Sequence, residues 1–449
     1  MDQMVRFQKY FFLATGFLLG SLIPLFGNAF NFILIVFMFV QIGMNRKEVL
    51  ANLRQERKYL WAMIIFLGYF SLHTMIVLLK GNPVAEPSYG TFEILILNFI
   101  LVPVYVTTFR SWLTPELLRR FLTYFCIGCF CINVYIFFAL TGTKLFSDPV
   151  GTLNLIYNTR FGENRFVLGD KFWLEIQALM LAVSALISYF LIIKERQNGK
   201  KIMFIFLFLA LLVFLSFTVT KSAIIGFLAG FFVLNIYLFK RSWVKVRYKL
   251  ATVILIVLCG FVLLDNVAMY EARMQEVREE IENVRRGEFS GGTIVPRVAF
   301  IRESFKHFDE FGLWGLGVST KHRIKAWFDA SDMNIARYKN VGNIFLQYWV
   351  TGGIPGLAFV LFLFVAPVYR MIRKKKISYL IIGILLPFFA VSNTCVTLSW
   401  ANSRLFMLLF LAMFCFYGDL FARLEEFSED EPAFDKSSIS LTVFLLNLH

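Results

Sequence analysis

The sequence predicts an all-α fold, a polytopic membrane helical bundle of about twelve transmembrane helices with one large helical extracytoplasmic loop. Three observations predict it. The 449 residues are 58% hydrophobic, against roughly 45–50% for a soluble domain. The charged residues gather between long apolar runs. Lys and Arg collect in alternate loops, as the positive-inside rule requires. The formal net charge of +15 then follows from those loops. With no glycine-rich phosphate loop and no recognition helix, it does not point to nucleic acid.

A spanning helix needs about 20 mostly apolar residues. Spans are expected near Tyr10–Phe26, Ala29–Met44, Trp61–Leu79, Thr91–Phe109, Phe121–Leu140, Phe172–Ile193, Ile202–Thr218, Ser222–Phe239 and Leu250–Leu264. Three more follow near Ile354–Tyr369, Ile377–Val396 and Leu405–Ala422. With the N-terminus in the cytoplasm, every inside loop is basic: Arg46 to Lys58, Arg110 to Arg120, Lys194 to Lys201, Lys240 to Lys249, and Arg370 to Lys376. This places both termini in the cytoplasm. Residues 1–264 thus form the first nine spans, 265–353 a large outside loop and 354–422 the last three spans. Residues 423–449 form a cytoplasmic tail carrying "EEFSEDEPAFD".

A smaller outside loop covers residues 141–171. The large one opens with "EARMQEVREEIENVRRGEF", whose mixed charges suit an exposed helix. "SGGTIVP" breaks it, and "RVAFIRESFKHFDEF" forms a second helix with an apolar stripe at Val298, Ile301 and Phe305. "GLWGLG" is a turn. "NIFLQYWV" is a short helix near the membrane surface. "TGGIPG" ends it and starts the next span, with Gly past one helix and Pro opening the next.

Folded mass outside the membrane locates the chemistry there. ATP and nucleotide sugars are absent on that side, so a donor must arrive activated, as a membrane-bound phosphate ester. Cations at the outer boundary would hold a diphosphate and stabilise it as it leaves. Lys221 stands at an outside turn, where it either grips phosphate or snorkels to headgroups. Arg160 and Arg165 flank Glu163 in the smaller loop, and ion pairing with Glu163 or Asp170 is their other reading. Arg297 and Arg302 lie on the second outside helix, where a solvated face is the alternative. Arg404 ends the last outside turn, where a headgroup contact would suffice. For a base, Glu163 and His322 are the candidates, although a histidine in "STKHRIK" is more often a surface group. Asn343 and Gln347 share a helical face and either hydrogen-bond sugar or serve capping and packing. No metal or other cofactor is expected: His73, His307, His322 and His449 form no ligand-spaced pair. The six cysteines lie in apolar runs and read as buried packing residues.

Four segments resemble the O-antigen ligase and polymerase superfamily of bacterial membrane glycosyltransferases. They are "RFGENRFVLGDKFWLEIQALMLAV", "FTVTKSAIIGFLAG", "FGLWGLG" and "GNIFLQYWVTGGIPGLAF". Their order and spacing match along nearly the whole chain. The resemblance implies a GT-C-like bundle in the bacterial cytoplasmic membrane. It implies undecaprenyl-diphosphate-linked oligosaccharides as donor and acceptor, membrane lipid around them, and a chain-length regulator protein as a further partner. Lys221, Arg160, Arg165, Arg302 and Arg404 would then bind diphosphate. Lys221 stands where the family usually has Arg, which keeps the charge and loses the bidentate fork. Gly342 stands where ligases typically carry His, so the resemblance favours a polymerase of O-antigen, capsule or exopolysaccharide repeats. A ligase transferring glycan to a lipid-A core is the alternative. A lipid-oligosaccharide flippase is the rival of another class, and it predicts mid-span charges and repeat symmetry.

Overall fold

The structure, a computed structural model, describes residues 2–21, 36, 39–40, 43, 46–79, 89–142, 147–148, 174–218, 220–240, 275, 278–283, 285–287, 295–317, 320–333, 335–336, 338–399 and 401–426. In these residues the chain is helical, with no strand. The helices are α1 (Asp2–Ser21), α2 (Arg46–Gln55), α3 (Arg57–Leu79), α4 (Tyr89–Thr108), α5 (Pro115–Thr141), α6 (Leu174–Lys194), α7 (Asn198–Thr218) and α8 (Lys221–Lys240). They continue with α9 (Val295–Lys306), α10 (Phe308–Phe311), α11 (Thr320–Asp329), α12 (Ile344–Arg373), α13 (Tyr379–Ser392) and α14 (Ala401–Glu425).

Six of the described helices are long and apolar enough to cross a membrane: α5, α6, α7, α8, α12 and α14. The apolar stretches Phe99–Thr108 and Tyr379–Ser392 are shorter, and α1 and α3 also fall on expected spans. The span expected at Leu250–Leu264 lies outside the described residues, as does nearly all of Ala29–Met44.

Local chemistry sets where these helices start. Thr114 caps α5 by accepting from the Leu117 amide at 3.2 Å, with Pro115 and Glu116 in the first turn, where a fixed φ and a negative charge are both favourable. Ser378 caps α13 by accepting from the Ile381 amide at 3.3 Å. Two helices form the interior. α6 is buried almost throughout and packs against α5, α7, α8 and α13, while α14 packs against α4, α5, α12 and α13. Gly226 and Gly230 let α8 lie directly on α13: a Cβ at Gly230 would stand 2.4 Å from the Gly383 carbonyl. Small residues four apart are the usual means of close helix approach in a membrane.

A polar layer closes the end that carries the basic loops. Glu56 pairs with both Arg110 and Arg370. Arg119 pairs with Glu195. Lys194 donates to the Glu425 carbonyl, as does the Tyr237 hydroxyl at 2.6 Å, and the Glu425 carboxylate accepts from the Tyr379 and Leu380 amides at 3.0 and 2.9 Å. From this layer, α6 runs back to Glu175, α8 to Lys221 and α14 to Arg404. At 1.5 Å per residue those distances are about 24–32 Å, close to the thickness of a hydrocarbon core. Glu175, Lys221 and Arg404 therefore form the opposite rim.

Beyond that rim, α9, α10, α11 and the first turns of α12 enclose a second apolar core, with Phe300, Phe311, Ile324, Trp327, Phe328 and Val350 among its members. The apolar stripe expected at Val298, Ile301 and Phe305 does not make this core. Ile301 and Phe305 are exposed, and Ala299 and Phe300 are buried instead. Phe300 stacks on Phe328 at 5.1 Å and fixes the inward face, while Phe305 turns its ring edge-on to Trp349 at 5.9 Å.

The two glycine motifs, which look like separate turns in sequence, form one joint. α12 kinks at Gly353, with φ 62° and ψ −154°. Leu316 and Gly317 donate to the Val350 and Thr351 carbonyls at 2.8 and 2.9 Å, and Ile354 donates to the Leu313 carbonyl at 3.0 Å. A Cβ at Gly353 would stand 2.1 Å from that same carbonyl, so both the conformation and the contact require glycine.

Candidate functional site

The rim opposite the basic layer is organised by the segment after α13, residues 392–398. Ser392 and Thr397 hydroxyls meet at 3.0 Å and close the turn. Thr394 donates to the Ser222 hydroxyl at 2.9 Å, which brings the start of α8 and Lys221 to this turn. Asn343 donates to the Asn393 carbonyl at 3.2 Å, bringing the start of α12. Ser403 donates to the Thr397 carbonyl, and Arg404 Nε donates to the Leu398 carbonyl at 2.7 Å, bringing the start of α14. The charges of Glu175, from α6, and Arg297, from α9, both act on the Cys395 thiol. Three helix starts thus meet at one short turn, and the charges of two more, those of α6 and α9, act on it.

Lys221 is exposed and opens α8. An ammonium at a helix N-terminus is disfavoured by the backbone dipole, and an anion between them relieves that repulsion. Arg404 is 2% exposed, the largest fully buried side chain described. It is therefore no headgroup contact. It lies inside the rim, bonded to the Leu398 carbonyl and in electrostatic contact with the buried Tyr348 hydroxyl. Arg302 is exposed on α9, and Arg297, on the same helix, is half-buried and coupled to the turn. Of the two, Arg297 is the one the fold brings to the rim.

Asn343 and Gln347 are both engaged within the fold. Asn343 Oδ1 accepts from the Phe345 and Leu346 amides at 2.8 and 3.1 Å and so caps α12. Gln347 Oε1 accepts from the Val341 amide at 3.2 Å, and its Nε2 faces Thr351 Oγ1 at 3.4 Å. Gly342 has φ 64°, and a Cβ there would come within 3.1 Å of the Phe300 ring. His322 sits on the exposed side of α11, away from the face packed by Ile324, Trp327 and Phe328. Arg160, Glu163 and Arg165 lie outside the described residues. Among the described residues, no group of three or more His, Cys, Asp or Glu side chains is placed to hold a metal ion.

The sequence does not single out Tyr348 or the 392–398 turn, and it offers Arg297 beside Arg302, with the diphosphate set taking Arg302. A signal for the turn was present: "SNTCVTLSWANS" concentrates Ser, Thr and Asn between two apolar spans. Small hydroxyl and amide side chains there have backbone and each other to bond.

Residues 206–363 match a family model described as O-Antigen ligase. This stretch, about a third of the chain, is similar to that family. It runs from α7 into α12 and contains Lys221, the joined glycine motifs and Asn343. The matched stretch thus contains three of these five helix starts, α8, α9 and α12, with the half-buried Arg297 on α9. The remaining starts, carrying Glu175 and Arg404, lie outside it. With six described helices long and apolar enough to cross a membrane, the chain is a multi-pass membrane protein that is similar to this family over that stretch. No curated protein matches the chain.

Proposed function

We propose that the chain is a membrane glycosyltransferase that polymerises undecaprenyl-diphosphate-linked oligosaccharide repeats. It works at the outer face of the bacterial cytoplasmic membrane, with both termini in the cytoplasm. The observation that carries this reading is Lys221, from the family domain, held beside a turn that also gathers Arg297 and Arg404. Cations set at a membrane boundary suit a lipid diphosphate. The basic loops at the other end support the orientation.

In the reaction, a hydroxyl of the acceptor attacks the anomeric carbon of the donor's reducing-end sugar. The bond from that carbon to the phosphate oxygen breaks, and the diphosphate leaves with the electron pair. Lys221, Arg302, Arg160 and Arg165 bind the diphosphates of donor and acceptor, Arg297 joins them, and Arg404 contributes its positive charge from beneath the rim. Neutralising the charge that grows on the leaving group is the main source of rate. The acceptor proton goes to a carboxylate or imidazole. Glu163 and His322 remain the sequence candidates, and Glu175 is a third, because it stands at the rim itself. Asn343 and Gln347 serve by holding the wall of the site, and sugar contact falls to groups they position. No metal takes part. A chain-length regulator is a further partner.

The description of the family model favours a second reading, a ligase that moves glycan to a lipid-A core. Against it stands Gly342, where ligases carry His and where a side chain would meet Phe300. Gel banding of surface glycan from cells lacking the chain separates the two. Loss of a polymerase leaves a single repeat on the core, and loss of a ligase leaves none. A flippase is tested with purified protein in detergent, where product formation without a sealed membrane excludes pure transport.

A further inference from the structure

The turn of the outer domain, Gly312 to Gly317, is fastened to a spanning helix. The Tyr69 hydroxyl of α3 donates to the Trp314 carbonyl at 2.8 Å and faces the Gly352 carbonyl at 3.1 Å. Ile354, in the span that follows the kink, donates to the Leu313 carbonyl at 3.0 Å. The height of these anchors follows from helix rise. Tyr69 is about 20 Å along α3 from Glu56, and Ile354 about 24 Å along α12 from Arg370. Glu56 and Arg370 are paired in the basic layer. The opposite rim lies about 24–32 Å from that layer. The turn is thus held no further out than the rim, within the hydrocarbon thickness.

Its side chains suit that depth. Leu313 is 63% and Trp314 66% exposed, although both belong to a domain with its own apolar core. The helices it is tied to are apolar and exposed at the same level, at Leu72 and Ile354. Water is a costly neighbour for such a surface, whereas lipid is not, and Trp favours the boundary between chains and headgroups. We propose that the Leu313–Trp314 tip is a wedge inserted among the lipid acyl chains of the leaflet opposite the basic loops. It continues the lipid-facing surface of α3 and α12 and sets the height of the outer domain over the rim. This rests on membrane placement and not on the reaction catalysed.

The test reconstitutes the full chain into phosphatidylcholine vesicles with plain or acyl-brominated chains, as wild type and as Trp314→Phe. The emission lost on Trp314→Phe is the signal of that residue. The expected result is that brominated chains quench most of this difference emission and that aqueous iodide does not. Quenching by iodide alone would place the tip in water, and quenching by neither would place it against protein; either overturns the proposal. If Trp314→Phe fails to fold, Leu313→Cys is labelled instead, with Lys321→Cys as the water-facing control and the wild-type background subtracted. A membrane-permeant maleimide should modify Leu313→Cys while a charged maleimide modifies only Lys321→Cys. Equal reaction of both positions with the charged reagent overturns it.

Discussion

Thr394 donates a 2.9 Å hydrogen bond to Ser222, joining the turn after α13 to the first residues of α8 across 172 positions of sequence. This contact sets Lys221 beside the residues that receive Asn343 and Arg404. Thr394→Val removes the donor and keeps the shape. It should cost about 1 kcal/mol of stability and shorten the surface polymer, whereas Thr394→Ser should keep both. Thermal unfolding in detergent and glycan banding read the two effects.

Lys221 contributes charge. Lys221→Ala should lower polymer formation about tenfold or more, the scale of losing a charged hydrogen bond. Lys221→Arg should be tolerated better, because the positive charge stays. Long-chain polymer at wild-type level from well-expressed Lys221→Ala would show that the ammonium only snorkels.

Arg404 depends on the shape of its guanidinium, since Nε makes the bond to the Leu398 carbonyl. Arg404→Lys should lose about 1.5–3 kcal/mol, the range for a hydrogen bond to a charged group. Arg404→Met, of similar length and uncharged, should fold and yet make no polymer. Polymer from Arg404→Met would assign the residue to packing alone.

The spans were legible because a helix in lipid must be apolar for about 20 residues and its flanking charge is asymmetric. Each expected span with described residues along its length falls on a helix. Lys221 was legible as a lone charge between apolar runs, but its surroundings were not. The turn at 392–398 joins residues far apart in sequence, and no local pattern records Thr394 meeting Ser222. Arg297 and Arg302 look alike on one helix, and only the packing of Phe300 against Phe328 decides which one turns toward the rim. The depth of Arg404 and the interlocking of the two glycine motifs were hidden for the same reason.

Gly342 is fixed by its backbone. At φ 64° with Phe300 close by, Gly342→Ala should cost about 1–2 kcal/mol, the penalty of a left-handed conformation for a residue with a Cβ. Gly342→His should be worse and should not produce ligase activity. Unfolding midpoints of the two variants in detergent, with an assay of glycan transfer to lipid-A core, check this.

The outer domain should weaken in acid. Burial raises the Glu310 carboxyl, but hydrogen bonds from Arg323 and His307 outweigh it and hold the group below its usual range. A lowered carboxylate adds stability that is present above its unfolded value of about 4.3 and is lost as pH falls through the folded one. Limited proteolysis between α9 and α11 should therefore rise below about pH 4, and Glu310→Gln should flatten that dependence.

Binding of a polyprenyl diphosphate to the purified full chain tests whether the rim grips a lipid diphosphate. The affinity of wild type, Lys221→Ala and Lys221→Arg would be measured against the matching polyprenyl alcohol. Diphosphate should bind more tightly than alcohol, Lys221→Ala should remove most of this preference, and Lys221→Arg should keep it. Equal affinity of all three proteins for the diphosphate would contradict such a grip.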